Sequence, residues 1–391
     1  MLPPAGPRRD RGGVGATGDR CRSVWWRSRP TLLWPGMKPL TRAAITALRL
    51  ERQQITAPAL QTPAEVVAAM GAMQAQDYHG TLWAIGLRTA RPSLGDVERS
   101  LATGQIVRTW PLRGTLHVVA AADVRWMLSL VAPRTIAGAA GRHKELELDS
   151  RTFNRSAAVL AKALEGGAQL TRAEIAAALE RAGISPAGQR LSYLIQRAAL
   201  DQLICDAPRR GKQGTYTLFD GWVPPSPPLQ RDEALARLAS RYFDGHGPAT
   251  AADFAWWAGQ TLTDSRRAIA AAGSALAKVT AGDADLYLPA EASLTRPSRP
   301  ATHLLPGFDE YLLGYQDRSA ALDPVQAAQV CPGNNGMFLP TVVVNGRVVG
   351  IWTRPIKPSG SLAPRLFPKA VQPGARGLEQ ATERYRAFHL G

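Results

Sequence analysis

The sequence predicts an α+β chain, predominantly helical, built of tandem winged-helix units and closed by a strand-rich C-terminal region. Three observations carry this expectation. Capping boxes open helices at Thr62-Pro63-Ala64-Glu65 and Leu170-Thr171-Arg172-Ala173-Glu174. Twice a set of helices runs into two strand-like segments joined by a turn, which is the element order of a winged helix. Beyond residue 293 the helical period gives way to short β-branched runs, among them Val342-Val343-Val344-Asn345-Gly346-Arg347-Val348-Val349, whose Asn-Gly pair suits a type I′ hairpin turn.

Residues 1–36 hold seven arginines against two aspartates, with much glycine and proline and no period. They read as a disordered basic extension or as the product of a misassigned start codon; a basic arm for nucleic acid is the livelier alternative. The first unit spans 37–135. Thr41 caps a helix carrying Ile45, Leu48 and Leu50, Thr62 caps the next, and a third covers Ser93 to Leu101. The strand-like runs Ile106–Trp110 and Thr115–Val119 then follow. The second unit, 150–222, has helices around Val159–Leu164, after Thr171 and from Ala187 to Leu200. Its strands Leu203–Asp206 and Thr215–Phe219 enclose a basic tip. Pro224, Pro225, Pro227 and Pro228 mark a linker to a third unit at 230–292, where Thr250 caps a helix and Ala277–Thr280 could pair with Leu286–Leu288. Residues 293–391 form the strand-rich region.

The 391 residues carry a net charge of +16 with 45% hydrophobic content, enough chain for several buried cores. Eleven of those charges remain once the first 36 residues are set aside. Such a surplus points to a polyanionic partner, nucleic acid or an acidic membrane surface. No apolar run is long enough for a membrane span or signal core. Cys21, Cys205 and Cys331 have neither metal-ligand nor redox spacing, so no metal site is expected and the protein reads as cytoplasmic.

The candidate chemistry lies in Met73-Gln74-Ala75-Gln76-Asp77-Tyr78-His79-Gly80. Residues two apart on a helix point roughly 200° apart, so Gln74 and Gln76 converge only where the backbone is extended or irregular. An amide is no general base, but two can hold a water by complementary hydrogen bonds. The plainer reading is a polar helix end. Asp77 either supports such a water or caps the amides that follow it. No lysine adjoins the motif, so nothing favours an amine nucleophile.

This motif resembles that of the winged-helix DNA glycosylases of the AlkZ/YcaQ type, together with three later segments. These are Arg108-Thr109-Trp110-Pro111-Leu112-Arg113-Gly114-Thr115-Leu116-His117, the run Leu305-Pro306-Gly307-Phe308-Asp309-Glu310-Tyr311-Leu312-Leu313-Gly314-Tyr315-Gln316-Asp317-Arg318, and Asn345-Gly346-Arg347-Val348-Val349-Gly350-Ile351-Trp352. Gln76 matches the AlkZ branch; the YcaQ branch has Asp there. The resemblance implies a C-shaped, nucleoid-associated protein whose concave basic surface holds double-stranded DNA, with Gln74 and Gln76 as catalytic amides. It further implies a monofunctional glycosylase for bulky N7-alkylated purines, active on interstrand crosslinks or in self-resistance to an alkylating antibiotic, with no cofactor and as a monomer. Candidate DNA contacts are Arg108, Arg113 and His117 in the first hairpin, Arg209, Arg210 and Lys212 at the second wing tip, and Arg347. For Arg113 a buried pairing with a carboxylate stands equally open. Trp110, Trp126, Trp256 and Trp257 are expected in the core. The alternative from another class is a winged-helix transcription regulator reading duplex DNA with the polar helix around Gln189, Arg190, Ser192 and Gln196.

Overall fold

The structure is a computed structural model and describes residues 38–292, 301–353 and 362–390, plus the backbone of a two-residue strand, β1 (Leu32–Leu33). The expectation for residues 1–36 otherwise lies outside the described residues.

Local capping starts the first unit where the sequence places it. The Thr41 hydroxyl accepts from the Ala44 amide at 3.2 Å to open α1 (Arg42–Arg52). Thr62 and Glu65 complete a reciprocal box at the head of α2 (Pro63–Met70). Gly71, at φ 75°, ends α2 in a conformation that disfavours a β-carbon, and turns the chain into β2 (Met73–Gln74). Next come α3 (Tyr78–Gly86), α4 (Leu94–Ala102) and the hairpin β3 (Ile106–Leu112) and β4 (Thr115–Ala120). The long helix α5 (Ala121–Gly138) then leads to α6 (Ala140–Glu145).

The second unit repeats the plan. It comprises α7 (Ser150–Ala163), β5 (Leu170–Thr171), α8 (Arg172–Arg181), α9 (Arg190–Leu200), β6 (Ile204–Arg210), β7 (Gln213–Leu218) and the short α10 (Phe219–Trp222). The third has α11 (Arg231–His246), α12 (Ala251–Ala258), α13 (Leu262–Ala272), β8 (Leu276–Ala281) and β9 (Ala284–Pro289). In each case a two-residue strand joins the hairpin: the sheets run β2-β4-β3, β5-β7-β6 and β1-β8-β9. The third departs from the other two, because β1 lies parallel to the first strand of its hairpin. The remainder holds β10 (Thr302–Leu305), α14 (Glu310–Leu313), α15 (Ala327–Val330), β11 (Thr341–Val344), β12 (Arg347–Thr353), β13 (Ala363–Leu366) and α16 (Ala375–Leu390). Its four strands form one antiparallel sheet in sequence order.

The sheet β2-β4-β3 separates the two largest cores. On one face Met73, Ala75 and Val118 pack with Trp83, Val342, Val343 and Trp352 of the C-terminal region. On the other, Ala72, Val107 and Val119 pack with Trp126, Tyr242 and Trp257. Each large aliphatic side chain buried in this way contributes about 1.5–3 kcal/mol, so the motif strand is fixed from both sides. Trp126 and Trp257 are core residues, as expected. Trp256 is not: it stays 43% exposed, with the Arg113 guanidinium 5.5 Å from its ring centroid.

Candidate active site

Gln74 lies in a strand and Gln76 two residues beyond it, so both side chains emerge on one face of the sheet. The extended backbone required for convergence is therefore present. Gln74 Nε2 donates to Gln76 Oε1 at 2.5 Å. Burial changes steeply along the pair: Gln76 is exposed, whereas Gln74 is buried. Asp77 occupies the N-cap position of α3 and folds its carboxylate toward Gly80, where a β-carbon would lie 2.6 Å from Oδ2. Glycine is what allows that close approach.

Long-range partners hold the strand in place. Gln74 pairs with His117 of β4 across the ladder, and the Ala75 amide donates to the Leu116 carbonyl at 2.8 Å. On the outer edge the Gln74 amide donates to Glu310 Oε1 at 2.8 Å. The other carboxylate oxygen of Glu310 receives Trp257 Nε1 at 3.1 Å and lies 3.2 Å from His246 Nε2. Burial pushes the Glu310 carboxyl up, but His246, His117 and the Gln74 amide outweigh it and bring it down to about 2. Thr81 Oγ1 donates to the carbonyls of Gln74 and Asp77 at 3.2 and 2.8 Å, tying α3 to the strand.

Over residues 67–388 the chain matches the model of the AlkZ-like DNA glycosylase family. The chain belongs to that family. It is 27% identical over 325 residues to the interstrand DNA cross-link repair glycosylase of Streptomyces sahachiroi, across 79% of this chain and 86% of that protein. The solved structure of the Streptomyces sahachiroi DNA glycosylase AlkZ superposes with a TM-score of 0.75 at 24% identity, covering 90% of this chain and 97% of that one. That structural likeness bears on the fold alone.

Within this AlkZ-like frame most of the arginines expected at DNA are committed to protein. Arg108 donates through Nε and Nη2 to the Ala75 carbonyl at 3.0 and 2.9 Å, and through Nη1 to Asp206 on β6. It joins the motif to the second unit. Burial pushes the Asp206 carboxyl up, and the Arg108 guanidinium counters that shift. Arg113 donates to the carbonyls of Trp256 and Trp257 at 3.2 and 2.9 Å. It therefore caps the end of α12 with a cation, where the helix dipole favours one, rather than pairing with a carboxylate. His117 is fully buried, so its expected contact with DNA backbone is corrected. Arg347 donates to the carbonyls of Ser319 and Ala320 at 3.1 and 2.9 Å. Its turn is packed on α1, since a β-carbon on Gly346 would meet Thr46 at 2.5 Å; neither is arranged to probe a groove.

The second wing tip differs. Lys212 and Arg210 are exposed there, although Arg210 also donates to Glu174 and to the Gln169 carbonyl, each at 2.7 Å. Arg209 lies with its guanidinium 4.2 Å from the Tyr78 ring centroid. With Tyr78, His79, Glu98, Arg108 and Lys212 it lines a groove of about 560 Å³ beside the motif. The polar helix α9 is partly used inside the protein, because Gln196 Nε2 donates to the Gly114 carbonyl at 2.7 Å.

Sequence reasoning missed Glu310 and His246. The available signal was an acidic pair, Asp309-Glu310, inside an otherwise apolar run. Both members are buried: Asp309 forms a two-pronged pair with Arg88 at 2.7 and 2.9 Å, and Glu310 holds the motif.

Proposed function

We propose that the chain is a monofunctional DNA glycosylase that hydrolyses the N-glycosidic bond of bulky N7-alkylated purines in duplex DNA. Interstrand crosslinks are among the lesions it unhooks, in DNA repair or in self-resistance to an alkylating natural product. It acts as a monomer and without a cofactor. The observation that carries this reading is the joined pair Gln74–Gln76, one amide buried and one exposed, in a member of the AlkZ-like family. Support also comes from the likeness to the interstrand DNA cross-link repair glycosylase of Streptomyces sahachiroi.

Amides suffice for this chemistry because the leaving group is already activated. A purine alkylated at N7 is cationic, and cleavage returns the bonding electron pair to the base and neutralises it. The sugar becomes oxocarbenium-like and is captured by a positioned water, so orientation carries the catalysis. Neutral leaving groups need paired carboxylates instead. An open site that works from the groove suits a bulky adduct better than complete base flipping.

The test is release of free base from duplex DNA bearing an N7-alkylguanine, for the intact protein and for Gln74→Ala and Gln76→Ala. Release by the intact protein, lost in both variants while DNA binding survives, supports the reading. Tight binding without release from small or bulky adducts overturns it in favour of a regulator.

A further inference from the structure

Three side chains form a row across the motif sheet: Gln74 of β2 lies opposite His117 of β4, which lies opposite Thr109 of β3. Directly opposed residues have β-carbons about 4.5–5.5 Å apart and share a face. All three are buried, and each has a side-chain atom without a hydrogen-bond partner: Gln74 Oε1, His117 Nε2 and Thr109 Oγ1. Buried polar atoms are nearly always bonded, so an orphan calls for an account.

The histidine supplies one. His117 Nδ1 lies 2.9 Å from the Thr115 carbonyl, and only a protonated nitrogen satisfies that oxygen. Nε2 therefore carries the lone pair. Burial, reinforced by Arg113 and opposed by Glu310, brings the imidazole down to about 4 and keeps it neutral. As placed, Gln74 Oε1 and the Nε2 lone pair are two buried acceptors in one row. A half-turn of the Gln74 carboxamide changes only its hydrogen-bonding sense. The NH₂ group then points at the imidazole lone pair, and the carbonyl oxygen takes the outer place beside Gln76, whose own amide turns to donate to it.

We propose that His117 is a positioning residue: its Nε2 holds the Gln74 carboxamide with NH₂ inward and carbonyl outward, so that the oxygen faces the substrate. The carbonyl accepts a hydrogen from the attacking water and leaves an oxygen lone pair directed at the sugar C1′. This inference rests on the glycosylase reading and deepens it.

Single-turnover base release at saturating protein separates the possibilities. His117→Phe keeps the ring but removes the acceptor, and His117→Gln restores an acceptor. The expected result is a loss of about 100-fold in His117→Phe, the scale of a misoriented catalytic group, with lesion-DNA affinity unchanged and activity largely recovered in His117→Gln. Undiminished release by His117→Phe overturns the role of His117 and leaves the glycosylase standing; no release by the intact protein overturns the glycosylase itself. If His117→Phe fails to fold, ¹⁵N NMR of histidine-labelled intact protein decides. An unprotonated, hydrogen-bonded Nε2 supports the proposal, and a protonated Nε2 overturns it.

Discussion

The carboxylate of Glu310 accepts the backbone amide of Gln74 at 2.8 Å, although the two residues are 236 positions apart. It is also bonded to Trp257 and lies against His246, so one buried side chain joins the motif, the third unit and the C-terminal region. In Glu310→Gln an amide NH₂ must face a group that is already a donor, leaving buried donors unpaired. Unfolding stability should fall by about 3 kcal/mol, and base release should fall with it. Denaturant titration alongside the release assay measures both; a variant with full stability would contradict the clamp.

Arg108 tests whether a motif arginine serves the protein or the phosphate backbone. Its removal takes the hydrogen-bonded cation from the largely buried Asp206, leaving only Arg209 in reach of it, and frees the Ala75 carbonyl. Arg108→Ala should cost about 3 kcal/mol while the salt dependence of DNA binding stays as it was. A contact with phosphate would instead reduce the slope of log K against log salt by about 0.9.

Lys212 should behave in the opposite way. It is exposed at the second wing tip, so Lys212→Ala should leave the urea midpoint within experimental scatter and reduce the salt slope by about 0.9. Titrations at three salt concentrations suffice.

Stability should depend on pH in two windows. Burial holds His117 at about 4 in the fold, against an ordinary value of 6.5. The unfolded chain thus binds its proton first, and stability falls as the pH drops from 6.5 toward 4, by about 3 kcal/mol. Burial brings His303 down to about 4 as well, adding a loss of similar size, so His117→Phe should roughly halve the combined fall rather than abolish it. Glu310, brought down from 4.5 to about 2, adds a second loss as the pH falls below 4.5. Urea midpoints at pH 8, 6, 5 and 4 would reveal the first window.

Much of the local structure was legible because it is encoded locally. Thr41, Thr62 and Thr171 cap where the sequence places caps, and Asn345-Gly346 adopts the positive φ angles of its turn. Less was legible in two places. Pro133, a residue that locally disfavours a helix interior, lies inside α5, and the helix continues to Gly138. The protein partners of the arginines were not legible either, because charge says nothing about partners: Arg108 meets a carboxylate 98 positions away, and Arg113 meets carbonyls more than 140 away. The convergence of Gln74 and Gln76 needed only the step-two geometry of an extended chain, whereas Glu310 needed the tertiary fold.

The distance along the chain between Gln74 and Glu310 has a consequence for synthesis. A ribosome adds residues at about 5–20 per second and domains fold as they emerge. The first three units can collapse while the motif strand still lacks the partner of its outer edge. The Gln74 amide gains the Glu310 carboxylate only after α14 has emerged, so the outer edge of the motif strand is among the last parts of the site to be completed.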